Sequence, residues 1–171
     1  MRWILWLAAL LSGCASFNDT LTPSANVIQD KFDGSTIVRQ LPVSAAASVA
    51  DAWHTLGFEW ISSAPKDVYV TAGIIGTVRV STLAFNADGT LITDIRQASE
   101  HTAFSDGWSS RRFVMPLADF LVVARASTVH MKISQSNSES VSTFGTSHPL
   151  AIVTKKFQPF LDKVLQVNSG L

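Results

Sequence analysis

The stretch Phe58 to Gln97, FEWISSAPKDVYVTAGIIGTVRVSTLAFNADGTLITDIRQ, alternates apolar and polar side chains in short runs separated by turn-forming residues. This pattern predicts strands at Phe58–Ser62, Asp67–Ala72, Thr77–Phe85 and Thr90–Gln97, because β-branched and aromatic residues recur there with a period of two. Ala64-Pro65-Lys66, Gly73 to Gly76 and Asn86-Ala87-Asp88-Gly89 supply the connections. Strands joined by such short turns form an antiparallel meander. The Gly73-Ile74-Ile75-Gly76 turn is unusual because two isoleucines occupy it. Either an apolar tip faces a partner or a lipid surface, or the flanking strands are longer and one isoleucine packs inward.

Working outward, Thr36 to Leu41 has the composition of a strand, ended by Pro42. Ser44 to Leu56 then places Ala46, Val49, Ala50 and Trp53 at helical spacing, with Gly57 where a helix C-terminus accepts a left-handed residue. Trp53 and Trp60 are expected in the core. On the other side, Arg112–Met115 is a short predicted strand, and Pro116 opens a helix over Pro116–Ala126 with Leu117, Phe120, Leu121 and Ala124 on one face. Val129, Met131 and Ile133 alternate with polar residues as in a strand buried on one side, and the serine-rich Ser134–Ser142 reads as a hairpin loop. Pro149–Val167 carries Leu150, Val153, Phe157, Phe160, Leu161 and Val164 on one stripe, with Pro159 placed to kink or divide the helix. The expected class is α+β, an antiparallel β-meander sheet with about three helices packed on one face. A β-sandwich with the Ser44 segment extended is the alternative, disfavoured by the alanine content of that segment.

The 171 residues carry 13 basic and 13 acidic side chains, and the few adjacent basic pairs, Arg111-Arg112 and Lys155-Lys156, make no stripe. Nucleic acid is not an expected partner, because phosphate-backbone binding leaves a basic surface. The four histidines, His54, His101, His130 and His148, lack the spacing and the companion cysteines of a zinc site, so neither metal nor cofactor is expected. No Gly-x-Ser-x-Gly elbow marks a serine nucleophile, and Gly73 and Gly76 do not have the spacing of a phosphate-binding loop.

Ser99 to Arg112 is the richest candidate site. Glu100, His101, Asp106, Trp108, Arg111 and Arg112 fall within one polar, irregular stretch, and loops carry binding chemistry more often than framework does. A tryptophan beside arginines suits a carbohydrate, a carboxylate or a partner protein. The plainer reading is that Trp108 covers the core edge and the charges are solvated.

Residues Trp3–Leu11 form an apolar run behind the single charge of Arg2, closed by Leu11-Ser12-Gly13-Cys14 with the chain's only cysteine. The run is roughly half of the ~20 residues that span a bilayer, and it has the layout of an export leader. A lone cysteine has no disulfide partner within the chain. This motif resembles the lipobox of the bacterial lipoprotein class. The resemblance implies that residues 1–13 are removed as a signal peptide and that Cys14 becomes an acylated N-terminus, held in the bilayer by more than one chain. Since Ala15 is not the aspartate associated with inner-membrane retention in enteric bacteria, the implied location is the periplasmic face of the outer membrane. Removing residues 1–13 takes away Arg2 and no acidic residue, leaving a formal charge of −1. Residues 14–34 are then expected to be the acylated cysteine and a flexible tether, and 35–171 a single periplasmic domain.

The functional expectation is a membrane-anchored, non-enzymatic binding module of the envelope, with the bilayer and an envelope protein or glycan as partners. Two alternatives stand beside it. One is a small envelope hydrolase with its site at the 99–112 loop, which requires His101 to meet Glu100 or Asp106 beside a concavity. The other is an immunity or inhibitor lipoprotein.

Overall fold

A computed structural model gives the structure of the protein and describes residues 22–136 and 138–169. Two antiparallel sheets carry most of it. The larger has the order β1 (Asn26–Gln29), β2 (Thr36–Ser44), β3 (His54–Ile61), β4 (Asp67–Ile75), β9 (Trp108–Pro116), β7 (Arg96–Gln97), with β8 (Ala103–Ser105) also paired to β9. The smaller runs β11 (Glu139–Phe144), β10 (Val129–Gln135), β5 (Val80–Ala87), β6 (Thr90–Ile92). The described residues contain two helices, α1 (Leu117–Arg125) and α2 (Thr154–Ser169).

The register explains the burial of the larger sheet. Val38, Trp60 and Gln40, Phe58 are cross-strand pairs, Phe58 faces Val70, and Val70 faces Phe113. All these residues are buried, as are Leu56, Val68, Ala72, Ile74 and Met115 on the same pleat. One side of this sheet is therefore an inner face, and Arg39, Glu59, Tyr69, Thr71 and Arg112 occupy the other.

The helices and the second sheet cover the inner face. Phe157 on α2 stacks on Phe58 of the larger sheet at 4.7 Å and on Phe144 of the smaller at 5.9 Å, so one ring joins both sheets. Phe120 of α1 and Phe160 of α2 complete the cluster at 5.1 and 5.5 Å from Phe58. These seams are the core, because aromatic pairs bury large areas and add directional contact.

The meander expected over residues 58–97 is divided. β1 to β4 run consecutively in one sheet, but β5 and β6 belong to the other, and Arg96-Gln97 returns to the first as β7. Ile74 packs inward with 7% exposure, since β4 continues through Ile75. Pro42 does not end β2; the strand continues to Ser44 across a register shift between Gln40 and Val43, where a missing N–H is tolerated. The hairpin connection in the serine-rich segment is shorter than expected: Ser134 and Gln135 end β10, and Glu139–Ser142 already belong to β11.

Of the three expected helices, the one over Ser44–Leu56 is absent. Residues 45–53 form an irregular segment in which Asp51 Oδ2 accepts the N–H groups of Ala47 at 3.1 Å and Ser48 at 3.0 Å, and Ser48 Oγ accepts that of Ala50 at 3.2 Å. Short polar side chains thus take the backbone donors that a helix needs. From His54 the chain is β3. Gly57 is no helix cap: a Cβ there would lie 2.8 Å from Pro42 N, so glycine admits the β2 bulge against the sheet. Leu150 lies before α2 and is 81% exposed, whereas Phe157, Phe160, Leu161 and Val164 are buried as expected. Pro159 stands inside α2 on an exposed position, and the helix continues through it.

The N-terminal boundary also shifts. Residues 26–29, expected within the tether, pair with β2 as an edge strand. Cys14 and the leader lie outside the described residues. No described helix is long and apolar enough to cross a membrane.

Candidate functional site

The outer face of the larger sheet has three zones along β3. At the His54 end, the register row Ser44, Thr55, Gly73, Ser110 carries small side chains. A Cβ on Gly73 would lie 2.4 Å from Thr55 Oγ1, so its absence lets Thr55 lie across the sheet. Over this floor stands a trough of about 440 Å³, with Ala46, Ala47, Val49 and Trp53 on one wall and Trp108 on the other. Its lining is mostly apolar. Val49 is 93% and Trp53 56% exposed, and Ile75, opposite Trp108 in the register, is also exposed.

In the middle zone, Arg39 Nε donates to Glu59 Oε2 at 2.5 Å, and the Arg112 guanidinium donates to Glu59 Oε1. Arg112 also lies 4.2 Å over the Tyr69 ring. One carboxylate between two half-exposed guanidinium groups leaves a local excess of positive charge. The third zone, at the Ile61 end, is apolar: Ile28, Ile37 and Ile61 are cross-strand neighbours.

The structure separates the residues that the sequence brings together in the 99–112 stretch. That stretch is mostly a hairpin, β8 to β9, turning at Asp106 (φ 51°) and Gly107 (φ 79°). Asp106 accepts a hydrogen bond from Ser105 Oγ at 2.9 Å at the exposed tip. Glu100 and His101 approach to 3.9 Å, but both side chains are about nine-tenths exposed. Arg111 points to the inner face and is buried, donating to the carbonyls of Ser99, Glu100 and Val80 at 2.8–3.2 Å. It pins the 99–100 segment and β5 to β9. Its neighbour Arg112 points the other way. Of the six candidates, Trp108 alone lines the trough.

Trp53 was expected in the core and instead forms the trough rim. The period-two signal of Leu56-Gly57-Phe58-Glu59-Trp60 locates it: counting back from the buried even-numbered positions puts residue 53 on the outward phase.

Beneath this end of the sheet, His54 joins the two sheets. Its Nδ1 lies 2.9 Å from Ser142 Oγ and its Nε2 2.8 Å from Ser140 Oγ, both on β11. Burial pushes the imidazole pKa down to about 4, partly opposed by Asp51. A neutral ring flanked by two hydroxyls satisfies both nitrogens. Among the described residues, no group of three or more metal-ligating side chains is assembled.

Compared with protein-family models, characterised proteins and solved structures, the chain matches none.

Proposed function

We propose that this chain is a lipid-tethered binding module of the bacterial envelope, and that the trough between Trp53 and Trp108 receives an apolar segment of a partner protein. The observation that carries this reading is Trp53, a large aromatic side chain held in water at the rim of a trough of about 440 Å³. Tryptophan in such a place is a typical interface anchor, because its ring desolvates a large area at low cost in side-chain entropy. The apolar lining and the lack of a charged side chain among the trough residues favour an uncharged, apolar occupant. The motif Leu11-Ser12-Gly13-Cys14 supports attachment to the periplasmic face of the outer membrane through acyl chains. The hydrolase alternative draws no support from Glu100, His101 and Asp106, whose side chains are exposed and line neither the trough nor the smaller hollow that Arg39, Glu59 and Arg112 border in the middle zone.

The test places a photo-crosslinking phenylalanine analogue at position 53 in cells and identifies its adducts in intact envelopes. A discrete protein adduct that disappears with Trp108→Ala is the expected result. Adducts to glycan strands would assign the trough to carbohydrate, and an absence of adducts from folded, anchored protein would overturn the reading.

A further inference from the structure

We infer that the occupant of the trough is the C-terminal end of a partner polypeptide, with its last side chains between Trp53 and Trp108 and its free carboxylate against the Arg39–Arg112 pair. The inference rests on the partner-binding reading of the trough and names the part of the partner that enters it. The trough does not end blindly. Its floor row, Thr55, Gly73 and Ser110, is followed two residues further along the strands by Gly57, Thr71 and Arg112. That step is roughly 7 Å. Over the second row lies a hollow of about 270 Å³, bordered by Leu41, Pro42, Glu59 and Thr71 together with Arg39 and Arg112. Trough and hollow thus follow one another along the same face.

The arginine pair closes this groove crosswise. Arg39 on β2 and Arg112 on β9 meet at Glu59 on β3, and the Arg112 guanidinium gets there over the Tyr69 ring of β4. Arg39, Glu59 and Arg112 therefore form a barrier across four adjacent strands. Trp108 and Arg112 stand four residues apart on β9, roughly 13 Å, so an extended segment leaving the trough down this face meets the barrier within a few residues. A chain that stops there presents its α-carboxylate. One that continues has to climb over two guanidinium groups.

The charge of the barrier fits a monoanion. Two guanidinium groups against one carboxylate leave a single positive charge, and Arg96 and Asp67, on the flanking positions of β7 and β4, offset one another. Arg39 uses Nε and Arg112 one terminal nitrogen on Glu59; the other side-chain N–H groups of both have no acceptor among the described residues. Both side chains are about two-fifths exposed, which leaves those donors open to a ligand. A carboxylate accepts paired N–H groups of this kind, whereas a phosphate dianion would leave one charge unmatched. The trough itself takes uncharged side chains, so an apolar body and an anionic end are read by successive parts of one face.

The test uses the full chain with Cys14→Ser, so that acylation plays no part, and short rhodamine-labelled peptides with Val, Leu or Phe in the last four positions. Each peptide is made with a free C-terminal carboxylate and as the C-terminal amide, and binding is read by fluorescence anisotropy. The expected result is that the acids bind at least about tenfold tighter than the amides. Arg112→Gln, and separately Arg39→Gln, should bring the acids towards the level of the amides, while Trp53→Ala weakens both forms. The comparison of acid with amide needs no variant, so a folding defect in either arginine variant does not decide it. Equal binding of acid and amide, weakened by Trp53→Ala, overturns the terminal carboxylate and leaves the trough as a partner site. Displacement of the peptides by dodecanoate at lower concentration than by the unlabelled peptide acid assigns the groove to a fatty acid and overturns the peptide occupant. No binding of any peptide to the folded chain removes both readings.

Discussion

His54 makes the joint between the sheets sensitive to acid. The imidazole is 1% exposed and its pKa falls from 6.5 to about 4, while the unfolded chain keeps the ordinary value. Between these values the unfolded state binds a proton that the folded state refuses, so stability is complete above pH 6.5 and declines as pH falls towards 4. Each pKa unit corresponds to ~1.4 kcal/mol, which puts the loss across this window at about 3 kcal/mol. The assay is urea unfolding of the Cys14→Ser chain at intervals from pH 7.5 to 3.5, alongside the same chain carrying His54→Gln. Glutamine keeps a donor and an acceptor for Ser140 and Ser142 but does not titrate. Carboxylates such as Asp88, held below its ordinary value by the N–H groups of Ser127 and Thr128, act equally in both proteins and cancel in the difference. The wild-type curve should fall faster than the variant's by about 3 kcal/mol between pH 6.5 and 4. Parallel curves would refute the burial of a neutral imidazole at this joint.

Other outcomes follow from packing and exposure. Phe157→Ala removes the ring that touches both sheets and should cost about 3–5 kcal/mol in denaturant unfolding. Gly57→Ala drives a methyl group into the Pro42 ring and backbone and should cost about 1–3 kcal/mol, with the expected distortion at the β2 bulge. Trp53→Ala should leave stability within ~1 kcal/mol of wild type while reducing partner retention at least tenfold, and an unchanged retention would remove Trp53 from the interface.

The sequence was most legible where one period dominates. α1 and the Phe157, Phe160, Leu161, Val164 stripe of α2 follow from helical spacing, and β4 and β10 follow from alternation. It was least legible where local hydrogen bonding overrides spacing. Ala46, Val49, Ala50 and Trp53 have helical periodicity, yet Asp51 and Ser48 take the backbone donors and leave Val49 and Trp53 in water. Alternation also does not reveal which sheet a strand joins: β4 and β5 look alike in the chain, but one pairs with β9 and the other with β10.

The candidate site shows the same division. Composition concentrates charge and a tryptophan in residues 99–112, but a strand sends neighbours to opposite faces. Arg111 therefore becomes an internal clamp and Arg112 a surface ion pair, and only Trp108 reaches the trough. The opposite wall comes from residues more than fifty positions earlier, which β3 brings alongside through β4.

The account proposed for this chain turns on acylation of Cys14, and intact mass spectrometry of the protein extracted from cell envelopes tests it most directly. A mature chain that begins at Cys14 and carries the mass of acyl chains is the predicted result. A free thiol at Cys14, on a chain recovered in the soluble fraction, would contradict it.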